Sequence, residues 1–179
     1  MNAGLGNVTA YIPQDGNDIL QSSLLEVVTL QREGTGFITD FNQELRDVSL
    51  YIGYGIGEDK DTCTAFAKAI KQQFSPSVLD ADGILNLAKH QEFLKELLKD
   101  SILTLHDVES KLLIGGQSNS YNRPKKAQEF SKNNSGIFVF KEAHTAIIAG
   151  CDLYINHKCD PGRLLLALLM SQAVLSHLF

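Results

Sequence analysis

Short β-rich runs alternate along the chain with longer stretches of helical period. The run Val8-Thr9-Ala10-Tyr11-Ile12 alternates and halts at Pro13, which has no backbone N–H to carry a ladder further. A short helix is predicted over residues 18–25 and a strand over 26–30. Gly34-Thr35-Gly36 marks a turn, and Leu50-Tyr51-Ile52 is a third apolar run that enters Gly53-Tyr54-Gly55-Ile56-Gly57. Phe66, Ala67, Ile70 and Phe74 fall at helical spacing, behind a cap at Asp61 or Thr62 and ahead of Pro76. Val78-Leu79 reads as a buried strand running into Asp80-Ala81-Asp82, with one or two helical segments over 85–99. Residues 101–104 are strand-like, 108–114 form a helix stopped by Gly115-Gly116, and 124–132 form another. Strands at 136–140, 145–148 and 152–155 complete the pattern.

Strand then helix, repeated, predicts an α/β protein with a mainly parallel sheet and helices on both faces. The last two strands are too close in sequence for a helical crossover, so they should form an antiparallel hairpin near the C-terminal end. A chain of 179 residues without internal repeats is expected to be a single domain, residues 1–179. Open α/β sheets bind ligands beyond the carboxyl ends of their strands. Four segments occupy such positions: 53–57, 80–82, 106–109 and 141–145.

Composition narrows the function classes. The net charge of −5, with no long run of one sign, leaves no basic footprint for nucleic acid. The start of the chain has neither the charged leader nor the apolar core of a signal peptide. Residues 164–179 are apolar but interrupted by Ser171, Gln172, Ser176 and His177, and fall short of the roughly 20 residues that span a bilayer. Cys63, Cys151 and Cys159 are odd in number and lack a C-x-x-C pair, which suits free thiols in the cytoplasm. Zinc spacing, G-x-S-x-G and G-x-x-x-x-G-K-[ST] are all absent.

Each candidate segment has two readings. Gly53, Gly55 and Gly57 let backbone N–H groups approach a phosphate at the start of a helix, or simply make a tight strand-to-helix turn. Asp80 and Asp82 can hold Mg²⁺ or a ribose, or Asp82 caps the next helix. His106 can contact a ligand or exchange a proton, while Glu109 can close the helix start. Lys141, His144 and Thr145 can cradle a nucleotide or lie in an exposed hairpin turn.

Taken in order, these segments carry a resemblance. Gly53-Tyr54-Gly55-Ile56-Gly57, Val78-Leu79-Asp80-Ala81-Asp82, Ile102-Leu103-Thr104-Leu105-His106-Asp107-Val108-Glu109 and Lys141-Glu142-Ala143-His144-Thr145 resemble the ADP- or ATP-dependent NAD(P)H-hydrate dehydratases, a carbohydrate-kinase-like family. The opening Ala3-Gly4-Leu5-Gly6-Asn7-Val8-Thr9 is similar to that family's A-G-A-G-L-V-T junction. The resemblance implies a ribokinase-like three-layer α/β/α sandwich. It also implies repair of hydrated NADH and NADPH: ATP or ADP, with Mg²⁺, phosphorylates the ring hydroxyl, and loss of phosphate restores the dihydronicotinamide. By resemblance Gly55, Gly57, His106 and Glu109 meet the hydrated substrate, Asp80 and Asp82 match its D-A-D, and Lys141, Glu142, Ala143, His144 and Thr145 hold the nucleotide.

Departures accompany the matches. Leu105 and Asp107 replace both prolines of the family's T-P-H-P, and Glu142 replaces the glycine after the lysine. The Asn expected after D-A-D falls at Leu85, beside Asn86. The chain begins at the family's second strand, and its T-G-x-G-D segment, source of an anion hole and a base, has no counterpart. A dehydratase-like protein with impaired or no catalysis is therefore expected. A non-catalytic nucleotide-binding or oligomerising module is the alternative, because the all-round apolar stretch 164–179 calls for burial against a second copy. A wider ribokinase-like small-molecule kinase is disfavoured by the same absent segment and by the D-A-D and T-x-H-x-x-E pair.

Overall fold

The computed structural model describes residues 8–32, 38, 41, 48–115, 123–141 and 145–156. They fall into two compact units, one containing residues 8–32 and the other running from Phe41 to Asn156. In the first unit, β1 (Val8–Pro13) and β2 (Val27–Arg32) pair in parallel from Val8↔Val27 to Pro13↔Arg32. A 3-10 turn (Gln14–Gly16) and α1 (Asn17–Ser23) connect them. Thr29 Oγ1 donates to Asn17 Oδ1 at 2.8 Å, and Gln21 Nε2 donates to the Val27 carbonyl at 3.1 Å, clipping α1 to β2.

The second unit is built on six strands in the order β3 (Tyr51–Ile52), β4 (Val78–Leu79), β5 (Ile102–Leu105), β6 (Ile137–Phe140), β7 (Thr145–Ala149) and β8 (Asp152–Asn156). The first four are parallel; β7 and β8 run antiparallel to their neighbours. The mainly parallel sheet and the terminal hairpin are therefore as the sequence predicts. Between the parallel strands lie α2 (Lys60–Gln72), α3 (Asp82–Lys89) with a 3-10 turn (Gln91–Lys95), and α4 (Asp107–Ile114) followed by α5 (Arg123–Asn134). Every residue of β5 and β6 is buried, the signature of central parallel strands covered on both faces. Leu79, Leu103, Leu105, Phe138 and Phe140 of the strands pack with Phe66 and Ile70 of α2, Ile84 and Leu87 of α3, and Leu113 of α4.

Some local boundaries differ from expectation. Asp59, not Asp61 or Thr62, is the N-cap of α2, and Thr62 is buried inside the helix. The helix ends at Gln72, so Phe74 lies past it and is 64% exposed instead of joining the core. The end is fixed by side chains: Gln73 Nε2 donates to the Glu96 carbonyl at 3.0 Å, and Ser77 Oγ donates to Gln73 Oε1 at 2.6 Å. Helix α3 begins at Asp82, earlier than residue 85, because Gly83 and Ile84 already close turns onto Asp80 and Ala81. Helix α4 ends where predicted, with Gly115 in the left-handed region (φ 81°).

The sheet and α3 meet closely at Gly83, where an added Cβ would sit 2.8 Å from the Ile52 carbonyl oxygen. In a helix Ala is favoured over Gly by about 1 kcal/mol, but overpacking against backbone costs about 1–3 kcal/mol. Gly83→Ala should therefore lower the urea midpoint with an unchanged slope; an unchanged or raised midpoint would show that α3 can withdraw from β3.

Candidate functional site

The carboxyl ends of β3, β4, β5 and β6 lie on one edge of the sheet, since the four strands are parallel and adjacent. At the centre of that edge stands a buried ion pair. Lys141, just past β6, donates from Nζ to Asp80 Oδ1 at 2.8 Å and to Oδ2 at 3.0 Å. The side chains are only 8% and 1% exposed, and the two residues are 61 positions apart. They reach across β5, whose last carbonyl, Leu105, accepts from the Lys141 backbone N–H at 2.8 Å. Asp80 Oδ1 also accepts from the Ala81 N–H at 2.9 Å, and Tyr51 Oη donates to Oδ2 at the long distance of 3.5 Å. Ala81 holds φ 44°, a sparsely populated conformation for a residue with a Cβ. Burial, then the Asp80 charge, then Tyr54 push the Tyr51 hydroxyl well above its ordinary ionisation range, with the hydrogen bond to Asp80 adding to the effect.

The glycine segment leaves β3 beneath the Tyr51 ring. A Cβ on the buried Gly53 would lie 2.8 Å from Tyr51 Oη, so only glycine lets that side chain fold over toward Asp80. Gly55 and Gly57 take φ 74° and 78°, left-handed values that favour glycine. Gly57 is then held from both sides. Its N–H donates to Asp82 Oδ2 at 3.0 Å, and its carbonyl accepts from Asn86 Nδ2 at 3.0 Å. Asn86, almost fully buried, donates to the Asp82 carbonyl as well, at 2.8 Å. Asp82 is thus the first residue of α3 and not its cap; its carboxylate anchors the loop.

His106 is exposed beyond β5, as the N-cap of α4, and Glu109 Oε2 accepts its backbone N–H at 2.7 Å. Glu109 therefore closes the helix start, the structural one of its two readings. Thr145 is buried at the start of β7. Glu142, Ala143 and His144 lie outside the described residues, as do residues 164–179. Among the described residues no three His, Cys, Asp or Glu side chains gather as a metal site. Asp80 and Asp82 are directed to Lys141 and Gly57 instead of forming a joint ligand set, so no step is assigned to a protein-held Mg²⁺. Two contributors escape the sequence reading. Tyr51 passes as one apolar residue of a strand, and Asn86 is set aside for its one-residue offset.

The sequence profile of the carbohydrate-kinase-like family described as NAD(P)H-hydrate dehydratase matches residues 1–164. The chain belongs to the NAD(P)H-hydrate dehydratase family. It is 27% identical over 174 residues to the bifunctional NAD(P)H-hydrate repair enzyme Nnr of Moorella thermoacetica, covering 90% of this chain and 33% of that protein. It is 29% identical over 115 residues to the Nnr of Thermofilum pendens, covering 62% of this chain and 22% of that one. The chain spans at most about a third of the length of these curated relatives. Among solved structures, the ADP/ATP-dependent NAD(P)H-hydrate dehydratase of Bacillus subtilis, crystallised with ATP and Mg²⁺, superposes with a TM-score of 0.65 at 19% identity, over 88% of this chain and 57% of that one. A ribokinase-like superfamily protein of Enterococcus faecalis gives 0.66 at 16% identity, over 90% and 56%. The fold is ribokinase-like.

Within this family member the Asp80–Lys141 pair should carry much of the site's stability. Removing one partner of a buried pair strands the other charge and costs about 3–5 kcal/mol. Lys141→Met should lose that much in urea unfolding, and adding Asp80→Asn should recover part of it. Tyr51→Phe should cost far less, and in a pH-dependent way. The folded chain holds the Tyr51 proton more tightly than the unfolded chain, so this contribution is whole below about pH 10 and fades as pH rises above it. The advantage of the parent chain over Tyr51→Phe should therefore shrink above about pH 10; a gap that stays constant there would sever Tyr51 from Asp80.

Proposed function

We propose that residues 1–179 act as a single ribokinase-like domain that binds ADP or ATP and hydrated NAD(P)H beyond the ends of β3 to β6, in the service of nucleotide-driven dehydration of the hydrated dinucleotide. The observation that carries this reading is the glycine segment held at Gly57 by Asp82 and Asn86. A loop held at both ends, with Gly55 exposed and no other part of the chain packed against it, suits close approach of a bulky polar ligand. The exposed His106, at the end of the strand next to β6, is then a substrate contact on the same edge. Lys141 serves the nucleotide side by fixing where the 141–145 segment leaves β6, since its ammonium is engaged by Asp80. Mg²⁺ enters with the nucleotide phosphates, as that ion commonly does.

Binding and turnover are separate parts of this reading. Phosphoryl transfer needs preorganised donors around the transferring group and a base on the attacking hydroxyl. The family's G-x-G-D segment, to which the resemblance ascribes both, does not occur in these 179 residues. Losing a single oxyanion donor costs roughly 10²- to 10³-fold in rate. We therefore expect this chain by itself to bind its ligands with impaired turnover. Thermal unfolding with millimolar ADP, ATP with Mg²⁺, or NADPH should show a raised melting temperature, growing with RT ln(1 + [L]/Kd). If none of the three moves it, the binding reading falls.

The alternative of an oligomerising module rests on residues 164–179, whose sequence offers almost no polar face. We propose a cytoplasmic homo-oligomer joined through that stretch. Light scattering should give a multiple of the 19.7 kDa chain mass at micromolar concentration; the chain mass alone at every concentration would rule the oligomer out.

A further inference from the structure

Tyr54 stands apart among the described aromatic residues of the sheet unit. It is 72% exposed, more than Phe74, Tyr51 or Tyr154, and it lies at the carboxyl end of β3. Phe74 sits at the opposite end, ahead of β4, and Tyr154 lies on the edge strand β8. Leaving a tyrosine ring in water forgoes one of the larger hydrophobic gains a side chain can make, so its position needs a reason.

The loop around it supplies one. Upstream, β3 is tied to β4 by the Asp80 N–H to the Ile52 carbonyl at 3.0 Å, and Gly53 is packed beneath the Tyr51 ring. Downstream, Ile56 packs against the core and Gly57 is held by Asp82 and Asn86. Within residues 53–57 only Tyr54 and Gly55 are exposed. Apart from its chain neighbours, Gly55 has no heavy atom within 4 Å of the place a Cβ would occupy, so the loop next to Tyr54 borders open space. An aromatic ring with two side-chain torsions, on a short loop anchored at both ends, is ordered at small entropic cost when a flat partner arrives.

We propose that Tyr54 is a stacking residue for a planar purine ring, either that of the adenine nucleotide or the adenine half of the dinucleotide. The partner is assigned by chemistry. A hydrated nicotinamide ring has lost the flat conjugated face that favours stacking, whereas adenine presents one. This inference rests on the ligand-binding reading above and names one contact within it.

The test is calorimetric titration of the parent chain, Tyr54→Phe and Tyr54→Leu with ADP, with NADPH and with reduced nicotinamide mononucleotide, which carries no adenine. Base–aromatic stacking corresponds to roughly 5- to 150-fold in affinity. Tyr54→Leu should weaken whichever adenine ligand stacks there by that factor, leave the mononucleotide unchanged, and leave the urea midpoint unchanged because the side chain is exposed. Tyr54→Phe should stay within about twofold of the parent. The ligand that loses affinity identifies the source of the purine. Equal affinity of the parent and Tyr54→Leu for both adenine ligands overturns this inference while the binding reading stands. An equal loss for the mononucleotide overturns the purine assignment. Failure of the parent chain to bind either adenine ligand overturns both readings.

Discussion

The buried pair of Asp80 and Lys141 is the constraint around which the carboxyl edge of the sheet is arranged. The flanking strands are β4, of two residues, and β6, of four, and the strand between them presents only buried side chains. Apolar contacts alone specify register weakly along such strands, because one buried aliphatic side chain replaces another at modest cost. An ion pair behaves differently. With both side chains almost fully out of water, a slip that separated them would leave two uncompensated charges, several kcal/mol apiece. The pair therefore fixes how far β4 and β6 project past β5, and with that where residues 80–82 and 141 stand. The Tyr51 hydroxyl, the bare Gly53 beneath it and the strained Ala81 all follow from giving Asp80 enough hydrogen-bond donors.

A division of labour results. The polar residues with the strongest charges are turned inward: Asp80 onto Lys141, Asp82 onto the Gly57 N–H, Glu109 onto the His106 N–H. What faces outward is softer chemistry, the Tyr54 ring, the Gly55 backbone and the His106 imidazole. Carboxylates that hold backbone in this way give loops at strand ends a defined geometry. The two carboxylates of Asp80-Ala81-Asp82 are therefore not a pair in function. They point to different partners, and each has a separate loop to hold.

Much of the fold was legible because its strands are short apolar runs bounded by Gly, Pro or Asp, and because the two residues between β7 and β8 leave no room for a helical crossover. The helix boundaries were less so. Phe74 continues the period of α2, yet the Gln73–Ser77–Glu96 hydrogen bonds end the helix first, a tertiary effect with no local trace. The start of α3 was missed because its N-cap, Ala81, is no capping residue type and sits at positive φ. Of the site, the sequence singled out most of the participants but not their partners. Nothing local links residues 80 and 141, and nothing about a tyrosine in an apolar run signals that its hydroxyl reaches a buried carboxylate.

The departures from the family pattern are absorbed by the same structure. Leu105, standing where the family has proline, is the last residue of β5, fully buried opposite Phe140, a place where an aliphatic side chain fills the core. Asp107, in place of the second proline, occupies the first position of α4. Proline suits that position because its missing N–H has no helical partner there, and aspartate suits it because its charge meets the positive end of the helix dipole. Its carboxylate also pairs with Lys111 one turn on, at 2.6 Å. The offset of Asn86 is likewise accommodated, since one helical step brings its amide onto Gly57. In each case the residue present suits the position it occupies in this fold. The fold likeness to the two structures compared, at identities of 16% and 19%, accords with this: the sheet holds each segment at a strand end, and the segments need only satisfy the geometry they find there.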